Sequence, residues 1–509
     1  MSAYLIGVDI GTQGTKAALF DADLNLLATA FEPSRIISPA PGTAWQEADD
    51  LYRSSANTIK LLMEQTNIAP ADIAAIGLDG QMAGIMGVDA DGEASTYYDS
   101  WLDMRCGKYM DHMRQQAGKR AIEITGGPIT YTHGPKILWW KHEHPDAYQK
   151  TAKFVLPHAY IVGKMTGQSG HDAYFDYTHL HFSGFADNLN KQWSDELLET
   201  FGVEKEKMAR IVSPFEVIGK TTRAFAELSG TMEGIPVVAG CGDTAASTFG
   251  SGMFEPDLVL DCAGTASVMC SVVNGFVPDA ENETLTMMRS PVDGLWLPLA
   301  YINGGGMCIR WFRDTLSGNP AATYAELEAE ATPLPCGSEG LLFIPHFSGR
   351  VLPNNPNLKG SFLGLDFKHT RGHMYRSVME AVAYEYRYYL SVLKKLYPER
   401  DFARMLSIGG GANSRLFNQV KADVLGITVE TFETGETALI GSAVIAGIGA
   451  GVLKDYKAPI QGIMKPHSTY RADAAKHTAY GPYADAYLAA MEHLTAFYKA
   501  IRLPDFDTP

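Results

Sequence analysis

Half a chain apart, two apolar runs close on the same turn. One is Leu5-Ile6-Gly7-Val8-Asp9-Ile10-Gly11-Thr12, near the start; the other is Leu258-Val259-Leu260-Asp261-Cys262-Ala263-Gly264-Thr265. A second apolar strand follows each, over residues 16–20 and 268–273. Two hairpins of one build, so far apart, suggest two related domains facing one cleft. Further apolar runs, at residues 235–239 and 405–408, end in glycine clusters and give way to helical patterns. Such alternation argues for an α/β fold with ligands at the carboxyl ends of strands. At 509 residues the chain also exceeds what one core usually serves, so two or three domains are expected.

Composition excludes several classes. A 46% hydrophobic and 20% charged chain is an ordinary globular enzyme, not a disordered one. A formal net charge of −16 argues against nucleic acid and anionic membranes as partners. It leaves anionic ligands open, because phosphate sites are built locally from backbone amides and a metal ion. The six cysteines form no C-x-x-C pair and read as reduced thiols, and the first residues read as a strand rather than a signal peptide. A cytoplasmic enzyme is expected. Residues 437–453 carry no charge and approach the length of a membrane span. Gly441, Gly447, Gly449 and Gly451 suit instead a buried helix packed closely on a sheet.

The first hairpin, Asp9-Ile10-Gly11-Thr12-Gln13-Gly14-Thr15-Lys16, has the parts of a phosphate cradle. Gly11 and Gly14 let backbone N–H groups approach an anion, while Thr12, Thr15 and Lys16 add hydroxyls and a positive charge. Asp9, at the strand end, is placed to hold Mg²⁺ through water. The same octet also reads as a tight hairpin with an aspartate cap. In Gly240-Cys241-Gly242-Asp243-Thr244-Ala245-Ala246-Ser247, a buried strand delivers Asp243 to the start of a helix among small residues. There it can take a proton from a substrate hydroxyl, or merely cap the helix. Asn303-Gly304-Gly305-Gly306 and Gly409-Gly410-Gly411-Ala412-Asn413-Ser414 each precede a helix and suit a flat or anionic ligand, or a plain turn. Gly219-Lys220-Thr221 resembles the end of a Walker A loop, but Pro214 stands where that motif needs glycine. His142-Glu143-His144 lacks the H-E-x-x-H spacing of a zinc site.

In order along the chain, Asp9-x-Gly-Thr, Asp79-Gly-Gln-Met, Trp101-Leu-Asp-Met-Arg105, Gly242-Asp243, Gly264-Thr265 and Gly409-Gly-Gly-Ala-Asn-Ser resemble the FGGY carbohydrate kinases. The resemblance runs from residue 4 to about residue 450. It implies an α/β, actin- and hexokinase-type architecture: two ribonuclease-H-like domains with ATP and sugar in the interdomain cleft. It implies an N-terminal domain over 1–250, holding the sugar, the first phosphate hairpin and the catalytic aspartate. A nucleotide-binding domain over 251–450 and a C-terminal helical tail over 451–509, of unassigned role, would follow.

The catalytic base falls on Asp243, which would also touch the substrate and join Asp9 in holding Mg²⁺ through water. ATP would be held by Gly11, Thr12, Gln13, Thr15, Lys16, Gly264 and Thr265 at its phosphates. Its base and ribose would lie near Gly306, Arg310, Gly410, Gly411 and Ser414. Gln81, Met82, Trp101, Asp103 and Arg105 would hold the sugar.

Within the family the chain is most similar to xylulokinases, through Gly80-Gln81-Met82, Trp101-x-Asp103-x-Arg105 and Asn354-Asn355-Pro356. Two positions depart from them: Ala83 replaces a usual histidine, and Thr244 a usual asparagine. Losing a hydrogen-bonding group from a polar site can change specificity by orders of magnitude. The leading expectation is ATP- and Mg²⁺-dependent phosphorylation of a ketopentose such as D-xylulose. Ribulose, a deoxy sugar, gluconate or a polyol are the alternatives, and an ATPase or partner-binding protein of the same fold is the rival outside sugar chemistry. The expected partner is a small sugar or polyol, not nucleic acid or a membrane, and a homodimer is compatible with the resemblance.

Overall fold

The computed structural model describes residues 3–319, 321–433 and 435–501. The first hairpin is β1 (Tyr4–Ile10) against β2 (Gly14–Phe20), extended antiparallel by β3 (Leu26–Pro33). On the other side β4 (Ile73–Gly80) runs parallel to β1. At that edge, β5 (Val217–Lys220) lies antiparallel to β6 (Pro236–Val238), which is itself parallel to β4. The Walker-like Gly219-Lys220 thus sits in an edge strand.

The second sheet repeats the plan. Its hairpin is β7 (Leu258–Ala263) and β8 (Ser267–Ser271), extended by β9 (Leu295–Ile302). β10 (Arg404–Ile408) and β11 (Thr428–Phe432) run parallel to β7, and β12 (Pro466–Tyr470) adds an antiparallel edge. The series β3-β2-β1-β4-β6 and β9-β8-β7-β10-β11 share order and direction. The two Gly-Thr hairpins therefore occupy equivalent places in two domains of one design.

Side chains alternate across a strand, so each sheet has an outer and an inner face. α1 (Ala48–Thr66) covers the outer face of the first sheet, where Leu51, Ile59 and Leu62 join Ile6, Val8 and Ile10 in one core. α2 (Asp243–Gly250) leaves the first sheet after the two-residue strand Cys241–Gly242. α3 (Arg371–Leu396) and α4 (Arg415–Leu425) cover the outer face of the second sheet, packing with Val259 and Met405. A third cluster joins the two inner faces: Leu5 and Ala75 from the first, Leu260 and Leu406 from the second, with Ala246 of α2 between them.

The uncharged stretch after Glu436 forms α5 (Thr437–Gly449), a buried helix as its composition leads one to expect. It emerges from the second sheet but packs on the first. Gly7 and Gly77, paired across β1 and β4, face it. A Cβ at Gly7 would stand 2.3 Å from the Leu439 carbonyl oxygen, and one at Gly77 2.2 Å from that of Ser442. The last helix before residue 450 therefore packs across to the first domain. The helical tail expected beyond residue 450 acquires a place in the second domain over its described residues, up to 501. β12 completes the second sheet, and α6 (Ala474–Ala500) buries Tyr480, Tyr487 and Met491 in that domain's core. Among the described residues no helix is long and apolar enough to cross a membrane.

Candidate active site

Three carboxylates gather at neighbouring strand ends. Asp9 of β1 lies opposite Asp79 of β4, Cys241 lies opposite Asp79 on the far side, and Asp243 opens α2. Alternation puts Asp9 and Asp79 on the face of Gly7 and Gly77, beneath α5. Ser442 of α5 donates to Asp79 Oδ2 at 2.5 Å, while Asp79 Oδ1 is buried without a partner. Burial first, and the charge of Asp243 second, push Asp9 up to about 6. Burial and Asp9 push Asp79 well above the usual carboxylate range. Burial also raises Asp243, against the opposing hydrogen bonds from the Thr244 backbone N–H and hydroxyl. A carboxylate moved toward neutrality is the better proton acceptor at working pH. The donors here are all oxygens, and one of them is unpaired, which fits Mg²⁺. Asp79 belongs to the quoted Asp-Gly-Gln-Met motif, yet sequence reasoning gave it no role. Its one local signal was a carboxylate closing a buried apolar strand.

The first hairpin turns at Gly11, whose N–H donates to the Gly14 carbonyl at 3.1 Å, and leaves Gln13 exposed at the tip. Thr15 must be corrected. It pairs with Ile10, so it points to the outer face, fully buried, with its hydroxyl 2.6 Å from Ser54 of α1. Lys16 pairs with Asp9 and so faces the cleft, where Glu436 holds it at 2.6 Å. That contact joins the first hairpin to the residue just before α5.

The second hairpin is pinned from two sides. Thr265 O accepts the Met307 N–H at 3.0 Å, and Gly306 crowds the Gly264 carbonyl at the start of the helix Gly305–Trp311. Gly411 packs against Ala263, and Gly410 borders open space. Gly264, Thr265, Gly306, Gly410 and Gly411 thus converge, with Arg310 exposed on the helix nearby. Ser414 is committed otherwise: its hydroxyl caps α4 through the Phe417 N–H at 3.1 Å and donates to Glu328. A ligand role for that hydroxyl is therefore corrected to a cap. Asp261, the second hairpin's own aspartate, is not the counterpart of Asp9. It faces outward, paired with Lys421 and bonded by Ser407 and Tyr386. A groove of about 1160 Å³ between α4 and β12 shares Ala412 and Asn413 with the glycine-rich turn, but none of the three gathered carboxylates lines it.

The residues expected to hold the acceptor form one linked wall. Trp101 Nε1 donates to Thr12 Oγ1 at 2.8 Å, and Thr12 donates to Gln81 Oε1 at 3.1 Å. Gln81 Nε2 donates to Gln46, a residue that sequence reasoning did not single out. Thr12 therefore keeps company with the sugar-side residues. Met82 packs against Gly242, where a Cβ would meet its sulfur at 2.6 Å, so it adjoins Asp243. Asp103 is buried and fully engaged, accepting from the Ala44 N–H at 2.7 Å and from Arg105 Nε at 2.8 Å. It holds Arg105, whose guanidinium lies over the rings of Trp45, Tyr97 and Trp139. Ala83 has φ 63°, a left-handed conformation unusual for alanine.

Comparison with known proteins gives the family and the fold. The sequence model for the FGGY family of carbohydrate kinases, N-terminal domain, matches residues 4–250, and the C-terminal domain model matches residues 262–450. A xylulose kinase of Bacillus subtilis (strain 168) is 24% identical over 506 residues, spanning 98% of this chain and 99% of the relative. A gluconate kinase structure from Lactobacillus acidophilus superimposes with a TM-score of 0.90 at 22% identity, over 98% of this chain and 100% of the other. A ligand-bound xylulose kinase from the same organism gives 0.89 at 23%, over 98% and 99%.

Proposed function

Because the chain belongs to the FGGY family of carbohydrate kinases, we propose that it transfers the terminal phosphoryl group of ATP to a hydroxyl of a ketopentose, with D-xylulose first among the acceptors. The observation that carries the mechanism is the place of Asp243. It sits at a helix start, directly after the Gly242 on which Met82 packs, and close enough to Asp9 for its charge to raise that carboxyl. There Asp243 takes the proton of the attacking hydroxyl, while backbone amides of the two Gly-Thr hairpins face the phosphates. Asp9 and Asp243 would hold Mg²⁺, and that ion would supply neutralisation of phosphate charge. Gln81, Trp101 and Arg105 orient the acceptor. Closure of the two domains on the sugar excludes water, so that ATP is not spent without an acceptor.

The xylulose kinases among the relatives support D-xylulose. Ala83 and Thr244, where xylulokinases carry histidine and asparagine, make the acceptor the part most open to test. Six free thiols suit a cytoplasmic setting. The test is ADP release with D-xylulose, ribulose, deoxy sugars, gluconate and polyols, each against a blank without acceptor. Release that depends on acceptor and is most efficient with D-xylulose is expected. Equal release in the blank would leave an ATPase, and a higher kcat/KM on gluconate would replace the acceptor.

A further inference from the structure

Directly behind Asp243 lies a polar nest that the chemistry above does not use. The short strand Tyr174–Asp176 runs into a 3₁₀ turn, Tyr177–Phe182, with Asp176 fully buried at the junction. Its Oδ1 accepts from the Thr178 N–H at 2.9 Å and from the Thr178 hydroxyl at 2.5 Å. Its Oδ2 contacts His158 Nε2 at 3.1 Å and His179 Nδ1 at 2.8 Å, on two stacked rings. Four donors thus surround one carboxylate. Burial alone would raise Asp176, but His179 and His158 outweigh it and hold the group well below the usual carboxylate range.

The network has a direction. Thr178 spends its one hydroxyl proton on Asp176, so its oxygen is free only to accept. It accepts the N–H of Gly242, at 3.1 Å, the residue immediately before Asp243. His158, meanwhile, packs against Gly80, where a Cβ would meet its Nδ1 at 3.3 Å. The nest therefore braces both backbone segments that reach the cleft: Gly80, ahead of Gln81 and Met82, and Gly242, ahead of Asp243.

We propose that Asp176 and Thr178 form a positioning pair that fixes, through the Gly242 N–H, where the Asp243 carboxylate meets the acceptor hydroxyl. The inference rests on Asp243 as the base. Its physical ground is that a misplacement of about 1 Å in a reacting group can lower a rate by about 10²-fold without weakening ligand binding. A neutral hydroxyl turned acceptor by a buried anion holds an N–H more firmly than a freely rotating one.

Thr178→Val keeps the shape and removes the acceptor, and Thr178→Ser keeps the acceptor. Thr178→Val should lower kcat about 10- to 100-fold with the KM for ATP little changed, and Thr178→Ser should recover most of the loss. A merely structural role would lower stability without that split or that rescue. Thr178→Ala guards against a folding failure of the valine variant. If neither variant binds ADP, the role is structural and the proposal falls. It falls also if Thr178→Val turns over normally while Asp243→Asn, run beside it, is inactive. If Asp243→Asn itself turns over normally, the base assignment fails first, and the inference with it. Elemental analysis of the purified protein closes the remaining route. A stoichiometric transition metal would make His158, Asp176 and His179, whose ligand atoms lie within 4.8 Å of one another, a metal site instead.

Discussion

Replacing Asp243 by asparagine separates a base from a structural residue, because the structure says which bonds survive the change. Asp243 Oδ1 accepts from the Thr244 N–H at 2.5 Å and from the Thr244 hydroxyl at 3.1 Å. An amide oxygen can accept both. Stability should not fall. The folded-state pKa of Asp243 lies above the usual 3.8, so the ionised group works against folding above that range, and a neutral amide removes the penalty. Asp9 also benefits, since the charge of Asp243 is the second contributor to its rise to about 6. Catalysis should fall by about 10²- to 10⁴-fold, or roughly 3–5 kcal/mol of barrier, through loss of the proton acceptor. A coupled ADP-release assay at saturating ATP and acceptor reads kcat, while calorimetry with ADP and a thermal melt read binding and fold. In the parent protein kcat should decline with falling pH through the raised pKa of Asp243, above the ordinary aspartate value of 3.8. Near-normal turnover in the variant would refute the assignment and leave Asp243 a first-turn residue of α2 that serves only to bind Thr244.

Gly77→Ala should lower stability by about 1–3 kcal/mol, because its Cβ would stand 2.2 Å from a backbone oxygen of α5. It should lower kcat too, by moving Ser442 off Asp79; an unchanged melting temperature would show that the helix is not seated as described. Ala83→His should raise kcat/KM for D-xylulose with little loss of stability, since histidine accepts a left-handed φ better than most residues. An unchanged ranking of acceptors would remove that position from the pocket. Activity lost in a chelator should return with Mg²⁺, and a return with zinc alone would contradict the all-oxygen donor set.

Much of the site was legible because it is local. The two hairpins, Asp243 at a helix start, and the glycine turns at 306 and 410 each announce themselves within a few residues. What was not legible depends on parity or on distance along the chain. Whether Thr15 or Lys16 faces the cleft turns on a single step of strand alternation, set by the length of the hairpin turn. Ser414 looks like a ligand residue and serves as a cap, because a hydroxyl before a helix suits both. Asp79 gains its meaning from Ser442, which lies far along the chain on a helix of the other half. The uncharged composition of α5 foretold a buried helix, but the glycines that admit it to the sheet are Gly7 and Gly77 of the strands, while its own Gly441 packs on Ala246 of α2. His158 and His179, which flank Asp176, come from two separate elements and carry no metal-site spacing, so only the folded chain brings them together.

The seat of α5 sets a timetable for synthesis. The strip over Gly7 and Gly77 is made with the first eighty residues, but its cover, Thr437–Gly449, comes near the end of the chain. At about 5–20 residues per second, the ribosome leaves that strip bare for roughly 20–70 s. For that interval the first domain is a sheet with one finished side. It cannot reach its native state ahead of the second, and Leu5 and Ala75 stay open to chaperones and to misassociation. The two halves of the chain mature together, once α5 has been made.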